Sequence, residues 1–110
     1  MPEKRTMIEI ALVAAALLFF VGLALILLRR SLVFWLLGAE LLFNAALLVA
    51  LAGGARWHAI SGQVLALFIM ALSGAALAPS LALLLRVRRE LGTLNVDGLR
   101  LLREREEKHD

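Results

Sequence analysis

Ser31-Leu-Val-Phe-Trp-Leu-Leu-Gly-Ala-Glu40-Leu-Leu-Phe-Asn44-Ala-Ala-Leu-Leu-Val-Ala-Leu51 is an apolar run with one acid in it. Nine residues precede Glu40 within the run and eleven follow it. At about 1.5 Å of rise per residue the stretch is long enough to cross the ~30 Å hydrocarbon layer of a bilayer as a helix. A carboxylate buried at that depth costs several kcal/mol if it is charged and unpaired. Such residues face a bundle interior and belong to a proton or ion path, or else they have a neutralising partner. Glu40 therefore marks both the fold and the place to look for function.

The remainder of the chain agrees with a membrane reading. Of 110 residues, 62% are hydrophobic, and the mean hydropathy is +0.88, well above soluble domains, in which apolar residues make up about half of the chain. Apolar stretches at Ile10–Leu28 and Ala59–Leu85 flank the central one. The expected fold is all-α, with three transmembrane helices at about residues 7–28, 32–51 and 62–85 in a single unit, followed by a polar tail over 86–110. Three short spans enclose little core, so a larger assembly is expected around them. The absence of cysteine excludes disulfides and thiolate-held zinc or iron–sulfur sites. His58 and His109 lie in a loop and at the C-terminus, so no metal or haem is expected within the membrane. The net charge of +3 implies no nucleic-acid partner, because the tail carries seven basic and six acidic residues and is nearly neutral. The first apolar stretch exceeds the ~7–15 residues of a signal-peptide core and runs directly into Arg29-Arg30, so it reads as a retained helix.

The turn Arg29-Arg30-Ser31 is short enough to make spans one and two antiparallel neighbours. Gly53–Ser61 reads as the second loop, with Trp57 suited to the membrane interface. Arg29, Arg30, Arg86, Arg88 and Arg89 lie near span ends on one side, against Lys4, Arg5 and Arg56 on the other. The excess of positive charge puts the turn and the tail in the cytoplasm and the N-terminus outside. Gly38 with Ala45 on span two, and Gly74 with Ala78 on span three, offer close-packing faces. Pro79 deprives the Ala75 carbonyl of its partner, and a bend or a water is expected there. In the tail, Leu94–Gly98 reads as extended or turn. Leu99–Lys108 reads as a short helix with a Glu104–Lys108 pair.

Asn44 follows Glu40 by four residues, on the same helical face, and could hydrogen-bond it or share its hydration. The other neighbours at helical spacing, Leu36, Leu37 and Phe43, are apolar, and no span carries a lysine or arginine at that depth. A cationic partner would have to come from another subunit. Two readings of Glu40 follow: a proton-relay or ion-binding carboxylate, or a neutral acid that hydrogen-bonds across a helix interface for assembly.

Arg29-Arg30 followed by Leu32 and Phe34, then Leu37-Gly38-Ala39-Glu40 with Asn44-Ala45, resembles the second helix of the K-subunit family of bacterial NADH–quinone oxidoreductase, complex I. Gly62-Gln63-Val64 opening the third span, Leu81–Leu85 closing it, and Leu94-Asn95-Val96-Asp97 in the tail fit the same family in the same order. The family includes the mitochondrial 4L subunit and, more distantly, the C subunit of Mrp-type cation/proton antiporters. The resemblance implies a non-catalytic, multi-pass subunit of the bacterial inner membrane, beside the A-, J- and N-type subunits at the quinone-proximal end of the membrane arm. NADH, FMN, iron–sulfur clusters and quinone would belong to the complex, with no cofactor or metal held by this chain. It also implies two membrane glutamates in a proton path. The first falls on Glu40. The second falls on Ala76, and the surrounding stretch Leu72–Pro79 has no acid. A path through this chain would then need water, a neighbour's carboxylate, or Ser73, one turn before Ala76, although a serine in a membrane helix more often bonds its own backbone.

The alternatives are a subunit of an Mrp-type antiporter or a membrane-bound hydrogenase, and a purely structural assembly subunit whose acid is vestigial. Small multidrug exporters require four spans with the acid in the first. The rotor subunit of ATP synthase has two spans with the acid in the second. Neither pattern fits.

Overall fold

The structure is a computed structural model that describes residues 2–92 and 96–109. Its elements are α1 (Pro2–Leu28), α2 (Leu32–Arg56), α3 (Ser61–Leu91) and α4 (Val96–His109), with no strand among the described residues. The first three are long and apolar enough to cross a membrane. At 27, 25 and 31 residues they are roughly 40, 38 and 46 Å long, so all exceed the hydrocarbon layer. The helices therefore outrun the expected spans. α1 begins at Pro2, α2 continues to Arg56, and α3 carries its arginines beyond the apolar segment to Leu91.

The α1–α2 turn is fastened by polar groups that the helix ends leave over. The Trp35 indole Nε1–H donates to the Arg29 carbonyl at 2.7 Å, and the Trp35 amide donates to the Ser31 carbonyl at 3.1 Å. The Arg29 guanidinium lies 5.0 Å from the centroid of the Phe34 ring. Terminal carbonyls of a helix have no partner within it, and one of them is satisfied here by a side chain from the next helix.

α2 is the central element, packed against α1 on one side and α3 on the other. The buried apolar residues of the bundle are all alanines: Ala15, Ala45, Ala50, Ala52 and Ala66. Large side chains such as Phe20, Leu28, Phe68 and Leu83 point outward and are more than 60% exposed. Helices in lipid gain nothing from hiding leucine from leucine-like surroundings, so close backbone approach through small residues is what joins them. A Cβ placed on Gly22 would lie 2.8 Å from the Gly38 carbonyl oxygen, and one on Gly38 would lie 2.7 Å from that of Gly22. At the other contact a Cβ on Gly62 would meet the Ala50 oxygen and Gly54 Cα, both at 2.5 Å.

That second contact corrects the expected loop. Gly53 and Gly54 are helical, and the connection is only Trp57–Ile60. A helical glycine costs about 1 kcal/mol relative to alanine. Here Gly54 also lets α3 approach α2 at backbone distance, which any side chain would prevent. Of the small residues expected to pack, Gly38 and Ala45 are buried, but Gly74 and Ala78 are exposed and nothing lies within 4 Å of a Cβ on Gly74.

α3 runs through Pro79 without ending. It terminates at Gly92, whose left-handed φ of 69° lets its amide donate to the Arg88 carbonyl at 2.8 Å. In the tail, Val96–Gly98 are helical rather than extended, while Leu94 and Asn95 lie outside the described residues. Ion pairs in the tail join Arg86 with Glu90 at 3.2 Å and Arg103 with Glu107 at 3.9 Å, and among the described residues Glu104 and Lys108 make none.

Candidate functional site

Glu40 lies in the first half of α2, half-buried against α3. Its Oε2 accepts a hydrogen bond from the Ser73 hydroxyl at 2.6 Å. The two residues meet because the Gly54–Gly62 contact sets the register of the antiparallel pair. From the crossing of Ala50–Gly54 with Gly62, Glu40 stands 10 to 14 residues back along α2 and Ser73 stands 11 residues on along α3. Both are therefore about 15–20 Å into the bundle.

Ser73 thus bonds the acid across the helix interface. The back-bonding expected of a membrane serine appears instead at Ser80, whose hydroxyl donates to the Ala76 carbonyl at 2.6 Å. The partnership was not visible in spacing, since the two residues are 33 apart in sequence. The available signal was that Ser73 is one of few polar residues in an apolar span.

Asn44 is exposed, and no hydrogen bond joins it to Glu40 among the described residues. It lines an open groove of about 240 Å³ between α2 and α3, together with Phe43, Leu47, Met70, Ser73 and Gly74. Ser73 both lines this groove and bonds Glu40. Ala76, at the position where the resemblance implies a second acid, is exposed on α3. Among the described residues, no group of three or more His, Asp or Glu side chains is placed to hold a metal.

The magnitudes decide what this arrangement can do. A hydrogen bond to a charged group contributes ~1.5–3 kcal/mol, whereas a desolvated carboxylate costs several kcal/mol or more. One hydroxyl does not balance an ionised Glu40. The remaining solvation must come from the groove or from a neighbouring chain.

Residues 10–104 match the family model described as NADH-ubiquinone/plastoquinone oxidoreductase chain 4L. The chain belongs to this family. Among 4L-family proteins it is 46% identical over 81 residues to NADH-quinone oxidoreductase subunit K of Gluconacetobacter diazotrophicus, covering 74% of this chain and 78% of the relative. It is 39% identical over 95 residues to the subunit K of Aeromonas salmonicida, covering 86% and 93% respectively. The subunit K of Nitrosospira multiformis is 39% identical over 92 residues, 84% of this chain and 90% of that one. The matched residues run through all three apolar helices and take in Glu40, Asn44, Ser73 and Ala76.

Proposed function

We propose that this chain is a non-catalytic membrane-arm subunit of a proton-translocating NADH–quinone oxidoreductase in a bacterial inner membrane. Its partners are the A-, J- and N-type subunits, and the complex's NADH, FMN, iron–sulfur and quinone sites lie on other chains. The arginine bias places the N-terminus outside and the tail in the cytoplasm. Glu40 is the protonatable group of the path, Ser73 the hydroxyl that orients it, and Asn44 a polar lining of the groove through which water reaches Ser73.

One observation carries this reading: the bond from Ser73 to Glu40. A hydroxyl donates one proton and accepts others, so it can link a carboxylate to water on its far side. In this chain the link to the groove begins at Ser73, one turn before Ala76, where no side chain can carry a proton.

Glu40→Gln tests it. The amide preserves shape and hydrogen bonding but takes up no proton at neutral pH. The expected outcome is intact assembly with fewer protons pumped per electron delivered to quinone in reconstituted vesicles. An unchanged stoichiometry would defeat the relay. That result would favour the second reading, an assembly subunit with a vestigial acid, for which the exposed alanine at position 76 already speaks.

A further inference from the structure

The end of the bundle that carries the N-terminus and the α2–α3 connection gathers positive charge above an apolar floor. A cleft of about 340 Å³ is lined by Lys4, Arg5, Arg56 and His58 and by one carboxylate, Glu9, with Ile8, Leu12 and Ala55 completing it. The Lys4 ammonium donates to His58 Nδ1 at 3.1 Å, which makes that imidazole nitrogen the acceptor. Arg5 is compensated by Glu9 at 3.9 Å. Lys4 and Arg56 have no carboxylate partner among the described residues, and the Arg56 guanidinium lies over the Trp57 ring at 5.8 Å.

His58 reaches Lys4 from a left-handed backbone, with φ at 51°. That conformation ends α2, since the Ala59 amide just beyond it donates to the Gly54 carbonyl at 2.9 Å, and it turns the imidazole toward α1. A second groove of about 410 Å³ shares Lys4 and His58 with the first and continues along Leu51, Ala59 and Ile60 to Gln63. Trp57 and Ile60 beside it are 75% and 74% exposed, as suits residues at the headgroup level.

We propose that this end of the bundle binds the phosphate of an anionic phospholipid, held by Lys4, Arg56 and His58, with an acyl chain along Leu51 and Ile60. Two cations without carboxylate partners among the described residues call for an anion, and the aliphatic side of the adjoining groove, Leu51, Ala59 and Ile60, suits an amphiphile better than a free ion. Lys4 and Arg5 precede the residues matched by the 4L family model, 10–104, whereas Arg56 and His58 lie within them.

The experiment uses the whole complex, purified and incorporated into lipid nanodiscs of phosphatidylcholine alone or with phosphatidylglycerol, followed by mass spectrometry of the lipid retained on this subunit. Unmodified complex should retain phosphatidylglycerol over phosphatidylcholine. Lys4→Gln and Arg56→Gln should each lower that retention about five-fold, while Lys4→Arg and Arg56→Lys preserve it. Retention that is indifferent to headgroup in the unmodified complex would overturn the proposal, and this comparison needs no variant to fold. Displacement of the lipid by inorganic phosphate would show a free-anion site and overturn it equally. A map of the assembled complex in which a neighbour's carboxylate pairs with Lys4 and Arg56 would do the same.

Discussion

α2 and α3 are both apolar helices long enough to span a bilayer, yet they stand differently in the bundle. α2 buries Gly38, Ala45, Ala50 and Ala52, whereas α3 buries only Ala66, near its start. α2 is enclosed by two neighbours and carries the acid. Beyond Ser73, much of α3 presents leucines and alanines outward, Ala76 among them. Small residues on the two helices have correspondingly different meanings. A Cβ on Gly38 collides with another helix, and one on Gly74 meets nothing within 4 Å. A glycine marks an interface only where a second backbone lies opposite it.

The largest effect should come from breaking the enclosed side. In Gly38→Leu the Cβ alone would fall 2.6 Å from Ile26 Cγ1 and 2.7 Å from the Gly22 oxygen, and the rest of the leucine has nowhere to go. Overpacking of a fitted core costs about 1–3 kcal/mol. Ile26 could shift, but the Gly22 carbonyl is backbone and cannot rotate aside, so the cost lies at or above the upper end. The expected outcome is loss of the chain from the complex, read as recovery of intact complex on native gels. Full recovery would mean that α1 and α2 are not joined through the glycine pair.

Ser73→Ala should have a smaller effect and of a different kind. It removes the only hydroxyl bonded to Glu40 among the described residues and leaves the packing nearly unchanged. Loss of a bond to a charged acceptor is worth ~1.5–3 kcal/mol, or about ten-fold or more in any step that depends on it. Proton-coupled quinone reduction should fall by up to that factor, with normal assembly, and Ser73→Thr should restore it. Equal rates in Ser73→Ala and the parent would remove Ser73 from the path and leave Glu40 dependent on neighbouring chains.

Much of this was legible in the sequence because a bilayer imposes a strict rule on composition. Span number and the tight turn at Arg29–Ser31 follow from apolar length, and one misplaced charge singles out Glu40 for attention. What was not legible depends on the approach of two helices. Gly53-Gly54 resembles loop punctuation until Gly62 is seen against it, and Gly74 resembles a packing face until nothing is found opposite. Along the chain Ser73 stands near Ala76, whereas its partner Glu40 is on another helix. Asn44 shares a helical face with Glu40, yet it opens on the groove and makes no bond to the acid. Sequence periodicity assigns residues to a face but does not identify what that face meets.

The smallest effect tests the open side. In Gly74→Ala the added methyl enters free space, and alanine is about 1 kcal/mol better than glycine within a helix. Substitutions away from packed features change stability by no more than about 0.5 kcal/mol, so the expected result lies between no change and slight stabilisation. Thermal release of the subunit from detergent-solubilised complex would measure it. A clear loss of stability would require a neighbouring subunit's backbone to close on α3 beside Ser73, as Gly22 closes on Gly38. The groove would then be protein-filled rather than wet, and water could not reach the Ser73 hydroxyl through it. A single methyl at position 74 therefore decides whether the open side of α3 is a route for protons or a socket for a helix.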